Sequence, residues 1–420
     1  MSKAPSRAQA ADWDAIRFHA GQLFTPSSPM KVAELFAGRR AEIAQLVEAV
    51  SERGRHAILY GEPGVGKTST ANILQHFIPA TPHKVHYIRH PVVSSDTYSS
   101  IWMEIFRKIQ FEVVEDGVPT KYNISELYAE GVTQNDVIRE LSTFGEDAIP
   151  IIVIDEYQQF KDETGAAYLS ETIKGISDSG SNVTIIVVGV GDSVDDLVKG
   201  HKSIIRCSEE VLMPRMNNDE MQKLFDVRVA QLGMKLEGNA KWKMISLSKG
   251  LPFFAHALGK SAVYSATARR SLVITESDVD KAIADTINSS KQTLKTTYED
   301  ATNSNQERAK FRHLITACAL TKTDASGWFT PKDVENPLSR IVGLARRVDH
   351  FNANLKDFAS AKRGNILQMK GTERAYRFRF TDSAMLPYVL MKGIADKLVD
   401  ENAMAILSAP EQEDFFSSGH

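Results

Sequence analysis

Residues 61 to 68 read Gly61-Glu62-Pro63-Gly64-Val65-Gly66-Lys67-Thr68, a fit to G-x-x-x-x-G-K-[ST]. Glycines at these positions let the backbone turn so that successive N–H groups point inward at phosphate oxygens. Lys67 would neutralise charge on the β- and γ-phosphates of a nucleotide, and Thr68 would offer its hydroxyl to Mg2+. From Ser69 onward the chain reads as a helix whose positive N-terminal end faces the anion. The apolar stretch before the loop reads as a strand. This strand–loop–helix context separates the motif from a glycine-rich turn that happens to hold a lysine.

Such a loop needs an acidic partner on a neighbouring strand. Ile151 to Ile154 form a continuous apolar run, the pattern of a buried parallel strand, and Asp155 stands at its carboxyl end. There it would hold Mg2+, while Glu156 would polarise an attacking water. The alternative is a helix-capping Asp155 and a solvated Glu156. A third apolar run, Val183 to Val188, leads to Asp192 and Ser193. A polar group there can touch the γ-phosphate or the water. Asp192 needs Mg2+ or a proton between itself and phosphate, and a helix N-cap is the competing reading.

The elements that must position these groups follow from periodicity. Strands near 56–60, 84–90, 149–154, 183–190 and 204–213 alternate with helical stretches, which predicts a parallel α/β sheet. Ile43, Leu46, Val47 and Val50 fall on one helix face, with Phe36 and Gly38 just ahead of that helix. His83, His86 and His90 alternate on a strand in a way that does not gather three metal ligands on one face.

Together these residues resemble the AAA+ ATPases, particularly the clade of origin-recognition initiators and their signalling relatives. Phe36-Ala-Gly-Arg-Arg-Ala-Glu42 looks like the segment that covers the adenine in that family. The stretch Gly61–Ser69 and Ile151–Glu156 resemble its two Walker motifs, and Gly189–Ser193 resembles its first sensor. In the passage from the last strand into the helical lid, the resemblance implies an arginine that reaches a neighbouring subunit's nucleotide. Arg206 matches best and Arg215 second. The alternative for Arg206 is a surface ion pair with Glu209 or Glu210. The chain departs from the family in the lid: Gly250-Leu251-Pro252 is followed by Phe253 and Phe254 where a sensor arginine is usual. The segment is similar instead to the lid of STAND-type switches, which implies Pro252 and His256 near the nucleotide; a buried or capping histidine is the other reading. The resemblance implies ATP or ADP and Mg2+ as ligands, slow hydrolysis and a homo-oligomer.

The chain has 420 residues and a net charge of −3, with ordinary apolar and charged content, so two or three domains are expected. The charge is uneven: residues 307–382 hold 15 Lys/Arg against 8 Asp/Glu, a basic block in an acidic chain. That block reads as three helices and a hairpin flanking Gly371-Thr372, and it resembles a winged-helix domain. Lys362, Arg363, Lys370, Arg374, Arg377 and Arg379 are its candidates for phosphate contact with duplex DNA. A solvated face, or contact with another protein, is the alternative. The expected fold is thus an α/β P-loop sheet of the AAA+ type with a helical lid, followed by an α+β winged helix. The expected boundaries are an N-terminal extension at 1–28, the nucleotide-binding domain at 29–212, the lid at 213–290, a linker at 291–306, the winged helix at 307–382, and a closing helix with an acidic tail at 383–420. Two cysteines, Cys207 and Cys318, suit a reducing cytoplasm, and no run is apolar enough to predict a membrane span or a signal core. Two functions fit: a DNA-associated ATPase that assembles on duplex DNA and recruits a protein, or a signalling switch, for example in bacterial antiviral defence, that acts on an effector partner.

Overall fold

The computed structural model describes residues 12–26, 38–78, 84–115, 118–145, 147–191, 193–198, 202–303, 311–324, 326–372 and 375–399. The chain divides into two compact units: Pro29–Arg215, and Met1–Ser28 with Met216–His420.

The first unit is built on a five-stranded parallel sheet. Its strands lie in the order Lys84–Pro91, Ala148–Asp155, Thr184–Val190, His56–Gly61, Ser208–Leu212. The apolar runs seen in the sequence explain the order of burial: Ile151, Ile152, Val153 and Ile154 are fully buried, as are Ile185, Ile186 and Val188. At about 1.5–3 kcal/mol per buried side chain, a slip of register would be heavily penalised on both faces of the sheet. The register pairs Pro91 with Asp155, Gly61 with Val190, and Tyr60 with Leu212. All strands are parallel, so their carboxyl ends meet on one edge, the place where open α/β sheets gather ligands.

Helices cover both faces, and their starts are locally encoded. Thr97 and Ser100 form a capping box for Tyr98–Phe106, and Asp162 accepts from the Gly165 N–H to open Glu163–Asp178. His56 is a tie inside this unit. Its Nδ1 accepts from the Ile185 N–H at 3.1 Å, and its Nε2 lies 3.0 Å from the Ile173 carbonyl, to which the neutral ring donates. Burial lowers its pKa to about 4.

Two details differ from the sequence reading. The last strand begins at Ser208 instead of 204, because Lys202–Arg206 is a short helix whose Ile204 is buried. A short apolar run does not by itself distinguish helix from strand. An antiparallel hairpin, Gln110–Glu115 with Val118–Asn123, precedes Ala148–Asp155 and was not legible as such; the rings of Phe111 and Tyr122 stack across it at 5.9 Å.

The second unit is mostly helical. Asn218–Gln231, Gly238–Ser248, Pro252–Ala268 and Glu276–Ser289 form a bundle, clasped by the short parallel pair Lys235–Leu236 and Val273–Ile274. An N-terminal helix, Trp13–Leu23, packs on Pro252–Ala268. Its Phe24 fills the space over Gly259 so closely that a Cβ there would come within 2.2 Å of the ring. Residues read as a linker instead form the helix Gln292–Thr302, with Leu294, Tyr298 and Ala301 buried. The Ser/Thr-rich composition concealed that helical period. Beyond it stand helices Phe311–Leu320, Pro331–Val342 and Asn352–Phe358, the hairpin Leu367–Lys370 with Arg377–Phe380, and the helix Met385–Ala395. Phe378 and Phe380 are buried, as their alternation predicts, and Phe378 pairs with Phe329 as an extra bridge. The acidic tail lies outside the described residues.

Candidate functional site

Strand His56–Gly61 feeds the loop, and helix Lys67–Ile73 leaves it. Two positions demand glycine. At Gly61 (φ 146°) a Cβ would sit 2.5 Å from the Met213 carbonyl oxygen, and Gly66 caps the helix at φ 101°. Lys67 is buried, its ammonium donating to the carbonyls of Gly61 at 3.0 Å and Glu62 at 2.7 Å. Burial lowers its pKa to about 8, against the pull of Glu156, Asp155 and Glu62. The loop thus encloses a cation whose hydrogen-bond partners among the described residues are carbonyls.

The second strand brings its carboxylates to the same place. Thr68 Oγ1 donates to Asp155 Oδ2 at 2.9 Å, and Asp155 Oδ1 accepts the Glu156 N–H at 2.9 Å. A hydroxyl and a carboxylate at this distance make a donor set suited to a hard cation. Arg89, from the neighbouring strand, donates to the same Oδ2 through Nε at 2.9 Å and Nη2 at 2.5 Å. Asp155 is nearly inaccessible, so its charge is compensated by the guanidinium. Glu156 is exposed at the head of a turn with φ 56°, a left-handed conformation. Its Oε2 accepts from the Gln158 amide, while Gln158 Oε1 accepts from the Val190 N–H at 2.9 Å. Gln158 therefore links the Glu156 carboxylate to the end of the Thr184–Val190 strand.

Two arginines secure the loop from outside. Arg39, buried and also left-handed (φ 61°), donates to the Val65 carbonyl at 2.8 Å. Arg215 donates to Glu62 Oε2 at 2.7 and 3.1 Å.

Residues 35–187 match the family model described as "AAA ATPase domain". Over this stretch the chain is similar to that domain. A search of curated protein sequences finds no match. Among solved structures, the Walker-type ATPase paby2304 of Pyrococcus abyssi superposes with a TM-score of 0.53 at 16% identity, covering 88% of this chain and 99% of its own. The Aeropyrum pernix ORC2 protein, solved as ADPNP-ADP complexes, gives 0.50 at 15% identity, over 92% and 97%. These likenesses are of fold.

Within the matched stretch, Lys67, Thr68, Asp155 and Glu156 come together as the spacing predicts, with Pro63, Gly64, Val65 and Ser69 completing the loop. Phe36 and Asp192 lie outside the described residues. Arg206 is exposed at the end of its short helix, just before Ser208, which is in register with His56. It therefore stands at the amino edge of the sheet, about a strand's length (roughly 17 Å at ~3.3 Å per residue) from its own loop. It makes no ion pair there among the described residues, and Glu209 is taken by Arg55 at 2.8 Å. With Arg53, Arg55 and Lys174 it lines a cleft of about 460 Å³. Arg215, the second candidate for a contact across subunits, is instead held by the loop of its own chain.

The remaining candidates belong to the second unit. Pro252 opens its helix at the first turn. His256 is buried, its Nδ1 accepting from the Thr25 N–H at 3.0 Å; burial, and then Arg228, lower its pKa to about 3, so it is neutral. In the basic module, Arg363 is turned inward: its guanidinium lies 3.8 Å from the Phe311 ring centre and donates to the Asn303 carbonyl. That corrects its reading as a free phosphate contact, because a helix unforeseen in the sequence occupies it. Lys362 pairs with Asp357 at 2.8 Å and Arg377 with Asp324 at 3.1 Å. Lys370 and Arg379 lie over the Trp328 ring at 4.0 and 4.6 Å. Arg374 lies outside the described residues.

Arg89, Arg39 and Gln158 were missed in the sequence. A charged residue between the buried Ile88 and His90, near the carboxyl end of its strand, was the available signal for Arg89. Nothing in the spacing distinguished Gln158 from a solvated glutamine. Among the described residues no helix is long and apolar enough to cross a membrane.

Proposed function

We propose that this chain is an ATP-dependent switch that binds ATP with Mg2+, hydrolyses it slowly in the cytoplasm, assembles with copies of itself and engages duplex DNA through a C-terminal winged helix. One observation carries the reading: Lys67, Thr68, Asp155 and Glu156 converge on one sheet edge, with the Thr68 hydroxyl 2.9 Å from the Asp155 carboxylate. Thr68 and Asp155 would hold Mg2+, which supplies positive charge against the phosphates. Lys67 would release the Gly61 and Glu62 carbonyls to meet phosphate oxygens, and Glu156 would orient the water.

Slow turnover is supported by both carboxylates being occupied, Asp155 by Arg89 and Glu156 by Gln158. Each must be released before it can act. The phenylalanines after Pro252 point the same way. Arg206 stands too far from its own loop to serve it, which supports a role at the nucleotide of a neighbouring copy. Exposed Lys370 on the hairpin supports phosphate contact.

A second reading has the C-terminal module contact an effector protein. It is favoured by the internal use of Arg363 and Arg377, which leaves a smaller basic face. ATP turnover with and without duplex DNA, across a salt series, separates the two. The first reading expects stimulation that fades steeply with salt and is abolished in Glu156→Gln. The second expects turnover indifferent to DNA.

A further inference from the structure

The second unit holds a cavity lined by none of the residues expected to bind nucleotide. It has a volume of about 450 Å³ and lies among Glu276–Ser289, Gln292–Thr302, Phe311–Leu320 and Met385–Ala395. Lys295, Arg312 and Lys392 line it, with Tyr298, Tyr388 and Glu299.

Its charge is incompletely answered. Lys392 and Arg312 share one carboxylate, Asp396, at 3.4 and 3.7 Å. Lys295 donates to the Asn288 carbonyl at 2.6 Å, which leaves donors of its ammonium to spare. Three cations thus face two carboxylates, Glu299 and Asp396. Tyr298 is 3% exposed, and its hydroxyl has no hydrogen-bond partner among the described residues. Burial pushes the pKa of this phenol up, so it is a neutral O–H donor. A buried hydroxyl without a partner is costly unless something satisfies it. Tyr388 stands edge-on to Tyr298 at 5.8 Å and gives the cavity an aromatic wall.

We infer that this cavity binds a small organic phosphate. Its charge calls for an anion with several acceptor oxygens, and the Tyr298 hydroxyl calls for one more. Its volume is within the range of small-molecule sites, of order 300–1,000 Å³, and exceeds what a lone phosphate would fill. A ligand seated here would bridge the helices of the lid to the C-terminal module, placing it where it can set how firmly the two are held together.

The test is calorimetric titration of the full chain carrying Lys67→Ala, which silences the phosphate loop. The probes are AMP and glucose 6-phosphate, with inorganic phosphate and adenosine as controls. Saturable binding of at least one organic phosphate is expected, at one site per chain and at least tenfold tighter than either control. Adding Lys295→Gln or Arg312→Gln is expected to weaken it by about tenfold, the scale of one charge-assisted contact. Tyr298→Phe is expected to weaken binding several-fold without lowering the thermal midpoint of the free protein, because that hydroxyl has no partner to lose; a merely structural tyrosine would lower it. No saturable binding of either organic phosphate overturns the inference. So does binding unchanged by Lys295→Gln and Arg312→Gln, or inorganic phosphate binding as tightly as the organic probes.

Discussion

Nucleotide binding to this loop must take up a proton, and the amount is set by Lys67. In the ligand-free loop the ammonium is buried against two carbonyls and its pKa falls to about 8. A polyphosphate beside it favours the charged form and returns the pKa at least to the ordinary lysine value of ~10.4. The linkage has one sign: the complex holds more protons than the free protein wherever the free lysine is partly neutral. From a free pKa of about 8, uptake is about 0.1 proton at pH 7, about 0.5 at pH 8 and about 0.9 at pH 9. Over this upper range the phosphate groups are already ionised and contribute little. Affinity for ATP should therefore fall as pH rises through 8, approaching tenfold per pH unit. Titration calorimetry in pairs of buffers with different ionisation enthalpies reads the uptake directly. Lys67→Met should abolish the pH dependence along with most of the affinity. Uptake that stays flat between pH 7 and 9 would refute the assignment of Lys67 as a desolvated cation waiting for phosphate.

Three further outcomes follow from the geometry. Arg89→Ala leaves the buried Asp155 carboxylate without its guanidinium and should destabilise the first unit by about 3–5 kcal/mol; Mg2+ with ATP should recover part of this, as read by urea denaturation with and without them. His56 is buried and neutral, with a folded pKa of about 4 against an unfolded value of 6.5, so the unfolded chain binds the extra proton. Its contribution is complete above pH 6.5 and is lost as pH falls toward 4, at about 1.4 kcal/mol per pH unit; denaturation midpoints across that range should show the slope, flattened in His56→Gln. Gly259→Ala places a methyl against Phe24, 2.2 Å from the nearest ring atom unless the ring shifts, and should cost about 1–3 kcal/mol; a lowered thermal midpoint, partly restored by adding Phe24→Leu, would check it.

Much of the first unit was legible because its signals are strong and local. The loop residues have a fixed spacing, and the four residues before Asp155 are all apolar because the strand is buried on both faces. Parallel topology then brings distant segments to one edge without further information. What the sequence concealed depends on contacts between elements. Arg89 binds Asp155 only because Pro91 and Asp155 are in register, and Gln158 reaches Glu156 only because Glu156 takes a left-handed turn. Arg363 read as a basic-face residue until the helix Gln292–Thr302 supplied the Asn303 carbonyl beside it. That helix was itself obscured by a polar composition typical of linkers. Arg206 was legible as a candidate, but its place at the amino edge of the sheet followed only once the strand was seen to start at Ser208.

The central claim, a switch worked between copies of the chain, is tested most directly by mixing two inactive variants and measuring ATP turnover. Lys67→Ala loses its own nucleotide but keeps Arg206. Arg206→Ala keeps its nucleotide but has no arginine to offer a neighbour. If Arg206 acts across the interface, each variant alone is inactive and the mixture recovers turnover, because an Arg206→Ala copy can be served by its Lys67→Ala neighbour. A mixture no more active than the sum of its parts, or an Arg206→Ala variant as active as the unaltered chain, would contradict the account.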